Sequence, residues 1–179
     1  MNLDQLLETV PAYAKDLKLN LQTLVKQAEL TEQQTWGTVV CSAIASRNDL
    51  LTRVLLAEAQ PHLKPEALEA AKIAAAVMGM NNVYYRFKHM VTDEKYSTIP
   101  ARLRMNAIRS HGIEAADFEL WCVAVSAINN CHACVTSHEK VVREKGISEE
   151  TIVASVRLAS VIFALASVFD AEAALTPAA

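Results

Sequence analysis

Apolar residues recur at three- and four-residue spacing over most of this chain, the signature of helices that each bury one face. Residues 114–128, EAADFELWCVAVSAI, place Phe118, Trp121, Cys122, Val125 and Ile128 on one such face. Residues 66–78, EALEAAKIAAAVM, are strong helix formers, and Pro65 supplies the fixed φ that suits a first helical position. A helix is predicted over 131–145, with Asn130 as its N-cap and Gly146 as its stop. Another is predicted over 148–168, where Ser148 is followed by Glu149, Glu150 and Thr151, and acidic groups favour a first turn. No segment alternates with period two. The fold class is therefore all-α.

The pattern also repeats. A displacement of 84 residues sets Ser42-Ala43-Ile44 on Ser126-Ala127-Ile128 and the start at Pro65 on the start at Glu149. One domain over 1–179 is expected, with two similar helical halves at about 30–85 and about 114–170 joined by the more polar stretch 86–112, as an internal duplication would leave it. Under the same displacement Glu119, Cys131, Cys134 and His138 fall on Thr35, Arg47, Leu50 and Val54. Reactive side chains thus belong to one half only, which points to chemistry rather than packing.

Composition narrows the setting. A formal charge of −3 makes nucleic acid or an anionic membrane a poor partner. The first residues, MNLDQLLETVPAYAKDL, are acidic where a secretory signal has a basic start and an apolar core. The longest apolar or small-residue run, Leu158 to Phe169, lies between Arg157 and Asp170 and is too short to span a bilayer. A soluble, cytoplasmic protein is the expectation. Four cysteines in such a compartment are not a secreted disulfide framework, and a C-x-x-C there reads as redox or metal chemistry.

Residues 130–139, NCHACVTSHE, concentrate that chemistry. On a helix Cys131, Cys134 and His138 share a face, and two cysteines three apart in a first turn come within disulfide reach. The positive end of the helix favours thiolate over thiol, and His138 is placed to take or relay a proton. Two other readings compete: cysteines as small buried hydrophobes, and a zinc site. Zinc lacks its fourth ligand, because His132 lies about 100° round the helix from Cys131 and no second cysteine or histidine pair follows. No metal and no tightly bound cofactor are expected. Glu119, one helix upstream, is either a solvated carboxylate or the group that fixes the His138 tautomer in a proton relay. The spacing leaves the two cysteines symmetric except that His138 is one turn nearer Cys134. Position alone suggests that Cys131, at the helix start, is the more reachable by a bulky partner. Cys41 and Cys122 sit in apolar runs, TVVCSAI and LWCVAV, and with Trp36 and Trp121 read as core. In MNNVYYRFKHM, residues 80–90, the aromatics are expected to pack while Arg86, Lys88 and His89 line a surface or subunit contact.

The pattern E-x11-C-x2-C-x3-H, formed by Glu119, Cys131, Cys134 and His138, resembles the AhpD alkyl hydroperoxidase family within the carboxymuconolactone decarboxylase-like superfamily. MNNVYYRF (80–87), RLRMNAI (102–108) and FELWCVAVSAINNCHACVTSHE (118–139) extend the likeness over most of the chain. The resemblance implies an all-helical homotrimer acting as an antioxidant peroxidase, reducing alkyl hydroperoxides to alcohols with electrons from the dihydrolipoyl group of a partner protein. It makes Cys134 the peroxidatic cysteine that passes through sulfenic acid. Cys131 becomes the resolving cysteine and proton donor, forming the 131–134 disulfide and a mixed disulfide with an AhpC-type peroxiredoxin. Glu119 and His138 become the proton relay. Some family members carry histidine as the second residue inside the C-x-x-C, where this chain has His132 first and Ala133 second, so no catalytic part follows for His132. A decarboxylase like the superfamily's namesake has no use for the cysteine pair; a non-enzymatic thiol switch or adaptor does, and peroxide turnover separates it.

Overall fold

In the computed structural model, which describes residues 1–175, side chains satisfy free backbone groups at the starts of α-helices beginning at Leu3, Glu32, Asp49 and Glu149. Nine α-helices and three short 3₁₀ turns make up the described residues, with no strand among them. They are α1 (Leu3–Glu8), α2 (Lys15–Leu24), α3 (Glu32–Ser46), α4 (Asp49–Ala59), α5 (Pro65–Met90), α6 (Lys95–Thr98), α7 (Ala115–Ile128), α8 (His132–Glu144) and α9 (Glu149–Leu175). Thr31 opens α3 with a capping box, its side chain accepting from the Gln34 N–H while Gln34 returns a bond to the Thr31 N–H. Pro65 stands at the first position of α5 and Ser148 Oγ accepts from the Thr151 N–H, as their sequence positions predict. The single-domain expectation extends over 176–179, which lie outside the described residues.

Helices α3, α5, α7 and α9 form the centre: α3 packs on α5, α7 and α9, and α7 packs on α3, α5 and α9. The short helices ride outside them, α4 on α3 and α8 on α7 and α5. The triplets α3–α4–α5 and α7–α8–α9 have the same order and lengths of the same rank, offset by about 84 residues. One sequence expectation is corrected here. The spacing gave α7 one buried face, but Leu120, Val123 and Ala124 are buried together with Phe118, Trp121, Cys122 and Val125, because neighbours surround the helix on every side. Ile128, at its end, is only half-buried. By length and composition α9 could cross a membrane; in this fold its Ile152, Leu158, Ile162 and Leu165 are core, packed against α2, α3 and α7.

Two features lock the centre. Gly37 of α3 lies so close to α7 that a Cβ there would run into the Trp121 ring, so only glycine permits this approach. Trp121 Nε1–H then donates to the Gln34 carbonyl at 3.3 Å, satisfying its one polar atom in the core. Asp117 accepts from Gln33 (2.6 Å) and Gln34 (2.8 Å), which sets α3 against α7.

Candidate active site

Helix α8 begins one residue later than predicted. Cys131, in extended backbone, is the N-cap, and its carbonyl accepts the first helical bond from the Val135 N–H at 2.9 Å. Asn130 has φ +54°, a left-handed conformation that asparagine tolerates, and it turns the chain between α7 and α8 rather than capping either helix with its side chain. The N–H of Cys131 donates to the Ser126 carbonyl at 3.0 Å, tying the cysteine to the end of α7. At the other end the predicted stop holds. Gly146 has φ +84°, its N–H reaches the Arg143 carbonyl (2.9 Å), and the Ile147 N–H reaches that of Val142 (3.3 Å).

A polar network braces this turn from α5. Asn82 is fully buried, donates to Ser126 Oγ (2.9 Å) and accepts at Oδ1 from Asn129 Nδ2 (2.9 Å), while Arg86 donates to the Asn129 carbonyl (2.6 Å). Arg86 therefore does not simply line a surface as the sequence suggested. The aromatics beside it pack only in part: Tyr84 and Tyr85 are half-buried, and Phe87 is exposed and meets Tyr96 edge-on.

Cys131 and Cys134 are joined by a disulfide, with Cα atoms 5.3 Å apart. Four residues on, His138 Nδ1 lies 2.5 Å from Glu119 Oε2, and both side chains are about one-sixth exposed (16% and 15%), so the pair is shielded without being cut off from the cavity. A carboxylate only accepts, so Nδ1 carries the hydrogen and Nε2 is the nitrogen left to exchange a proton. Of the two readings open for Glu119, a freely solvated carboxylate does not hold, since the group is paired with His138 and largely shielded. A cavity of about 330 Å³ opens on Asn81, Tyr85, His89, Met105, Cys134 and His138. Of the four residues singled out from the sequence, Cys134 and His138 line this opening, while Cys131 and Glu119 stand behind them, bonded to Cys134 and His138 respectively. His132 is exposed on another side of α8 and does not line it.

Reachability is the reverse of what chain position suggested. Cys131 is fully buried, whereas Cys134 retains 5% exposure and borders the cavity. The end of α7 covers Cys131, a contact that distance along the sequence does not reveal. Among the described residues no three His, Cys, Asp or Glu side chains are grouped as a metal would need. The amino-terminal half has a His–Glu contact of its own, His62 with Glu32 at 2.7 Å beside a cavity of about 410 Å³, but no cysteine lines it. A histidine–carboxylate pair is therefore common to both halves, and the cysteine pair is what distinguishes the carboxy-terminal one. Cys41 and Cys122 stand apart, fully buried and unpaired. Burial pushes the Cys41 thiol up to about 12 from 9.0, and burial, then the Glu119 charge and Cys41, push Cys122 well above its usual range.

Comparison with known proteins agrees with this geometry. The profile of the carboxymuconolactone decarboxylase family matches residues 95–177, which include the whole C-x-x-C half. The alkyl hydroperoxide reductase AhpD of Acidobacterium capsulatum is 60% identical over all of this chain and 98% of its own length. This chain belongs to the AhpD family. The AhpD proteins of Solibacter usitatus (58% identical, covering 97% of this chain and 98% of theirs) and Streptomyces coelicolor (51%, covering 98% of each) match equally end to end. The chain also carries features that the motif did not single out. Asn81 and Asn82 are one: two consecutive asparagines inside a helix are poor helix formers, and that alone signals side chains with a job to do.

Proposed function

We propose that this protein is an antioxidant thiol peroxidase that reduces alkyl hydroperoxides to alcohols through a Cys131–Cys134 dithiol/disulfide cycle. The observation that carries the reading is that Cys134, disulfide-bonded to Cys131, and the Glu119-oriented His138 line one cavity. The names of the relatives, alkyl hydroperoxide reductase, support the same reaction class. In the dithiol form Cys134, the sulfur bordering the cavity, loses its proton toward His138 and attacks the terminal oxygen of ROOH. The O–O bond breaks, the alkoxide takes a proton and leaves as ROH, and Cys134 becomes sulfenic acid. Cys131 then attacks the Cys134 sulfur, water leaves, and the 131–134 disulfide forms. A dithiol donor reduces it by exchange, supplying two electrons and two protons. No tightly bound cofactor enters the cycle.

The donor in this reading is the dihydrolipoyl group of a partner protein, and an AhpC-type peroxiredoxin is a second, protein-sized substrate for the reduced pair. Because Cys131 is covered, the mixed disulfide with either partner is assigned to Cys134, with Cys131 resolving it. The reading also takes a homotrimer, supported by exposed Val83, Phe87, Met90, Ile99 and Phe163, and a cytoplasmic setting, where thiols such as Cys41 and Cys122 stay reduced. The two helical triplets are read as the products of one duplication.

Hydroperoxide consumption with dihydrolipoamide, with and without a peroxiredoxin, tests the proposal. Continuous turnover is expected; one stoichiometric oxidation followed by arrest would make the protein a thiol switch instead. Glu119→Gln and His138→Gln are each expected to slow turnover about 10²–10⁴-fold, and the double variant to be little worse, because the two act as one unit. Losses that multiply would break the relay assignment.

A further inference from the structure

One polar group at the cavity has no part in the cycle above. Asn81 of α5 is only 5% exposed, borders the cavity with Cys134 and His138, and its backbone carbonyl oxygen lies 4.0 Å from Cys134 Sγ. Its neighbour Asn82 has both ends of its carboxamide bonded, to Ser126 and Asn129. Asn81 Oδ1, by contrast, is buried and has no hydrogen-bond donor. A buried acceptor left unpaired is costly, and each one in a native protein calls for an explanation. Oδ1 reaches no solvent, so neither bulk water nor a hydroperoxide entering the cavity meets it directly. A neighbouring protein group is the donor we consider. The protein groups beside Asn81 whose donor capacity changes during the cycle are the cysteines: the disulfide has no S–H, and the dithiol has two.

We propose that Asn81 is a positioning residue whose carboxamide oxygen accepts a hydrogen bond from the Cys134 thiol in the dithiol form and loses it in the disulfide form. This rests on Cys131 and Cys134 being a reversible redox couple. When a dithiol donor reduces the pair, the Cys131–Cys134 S–S bond breaks and two S–H bonds form. The donor's own S–S bond closes, and two electrons and two protons pass from donor to protein. Asn81 supplies none of these. It is satisfied on one side of the equilibrium and unsatisfied on the other, so it biases the pair toward the dithiol form. The bond is modest because a thiol is a weak donor, and a bias of about three- to tenfold in the exchange constant is expected.

The test equilibrates wild-type protein and Asn81→Leu with mixtures of dihydrolipoamide and lipoamide at about pH 6, below ordinary thiol pKa values, and counts both forms by mass after alkylation. The disulfide of Asn81→Leu should be favoured about three- to tenfold over wild type, tenfold being about 30 mV for a two-electron couple. An unchanged constant overturns the inference and leaves the peroxidase reading standing; a wild-type pair that does not titrate as a two-electron couple overturns both. Thermal unfolding of each form gives a second measure. Asn81→Leu should lower Tm more in the dithiol form than in the disulfide form, whereas equal losses would make Asn81 merely structural and overturn the inference. Asn81→Ala, smaller and free of overpacking, carries the same two measurements should the leucine variant not fold.

Discussion

Cys41 and Cys122 carry the same functional group as Cys131 and Cys134, and burial alone sets them apart. Their apolar neighbours in sequence were enough to read them as core, because a thiol enclosed by a hydrophobic helix run has nothing to stabilise its thiolate. Iodoacetamide applied to the reduced native protein should therefore label Cys134 and leave Cys41 and Cys122 untouched until the chain unfolds. The same burial has a pH signature. The Cys41 pKa is raised on folding, so the stability it contributes is complete below about pH 9.0 and is lost as pH rises toward 12, where unfolding frees a thiol that ionises. Cys41→Ala should flatten that alkaline fall in a denaturant titration across pH, whatever it does to stability at neutral pH. Gly37 belongs to this scale too. Gly37→Ala should destabilise the protein by about 1–3 kcal/mol through overpacking against Trp121, and Trp121→Phe should recover part of the loss. Nothing in the sequence around Gly37 announces this, since the indole it meets is more than eighty residues away.

At the scale of helices, most starts and stops were legible because caps are local: Pro65, Ser148 and Gly146 each act within a turn of the helix they bound. Asn130 was misread for a reason equally local. Asparagine favours both N-caps and left-handed turns, and the tie is broken by α7 ending at Ile128, two residues before it, which leaves Cys131 to cap α8. The consequence is functional, since Cys134 then sits in the first turn of α8, near its positive end. What holds that turn in place is the Asn82–Ser126–Asn129–Arg86 network, drawn from two helices and the loop after α7. Asn82→Leu strands the Ser126 and Asn129 groups and should cost about 1–3 kcal/mol. Hydrogen exchange should quicken at 129–134 more than in α3, which the network does not touch. Uniform quickening over all helices would mean the network stabilises the fold without specifically bracing the cysteine turn.

At the scale of the whole molecule, an apolar surface stands exposed. Val83 and Phe163 are exposed and share a hollow of about 290 Å³ with Arg86 and Ile128; Phe87, Met90 and Ile99 extend the apolar surface along the end of α5 and beyond. In the proposed trimer this surface is the contact between copies. Phe163→Glu should then yield a smaller species in analytical ultracentrifugation with helix content intact, because a charge placed in a packed interface is desolvated without a partner. A variant that sediments like the wild type would move the contact elsewhere. Helix α9 illustrates why such surfaces need the three-dimensional structure. Its composition suits a core, a membrane or an interface, and only its packing against α2, α3 and α7 shows that most of it is core while Phe163 is not.

Helix class, helix order and the shared helical face of Cys134 and His138 were legible from sequence because they depend on short-range spacing. Periodicity, caps and the C-x-x-C-x3-H pattern all act within a few turns of one helix. The pairing of Glu119 with His138, the covering of Cys131, the burial of α7 on every side and the unpaired oxygen of Asn81 were decided by tertiary structure. Each depends on which helix lies against which, and packing brings together groups that the chain separates by up to dozens of residues. Periodicity says that a face is buried; it does not say against what. The chemistry is written in one helix, and its orientation comes from the helices around it.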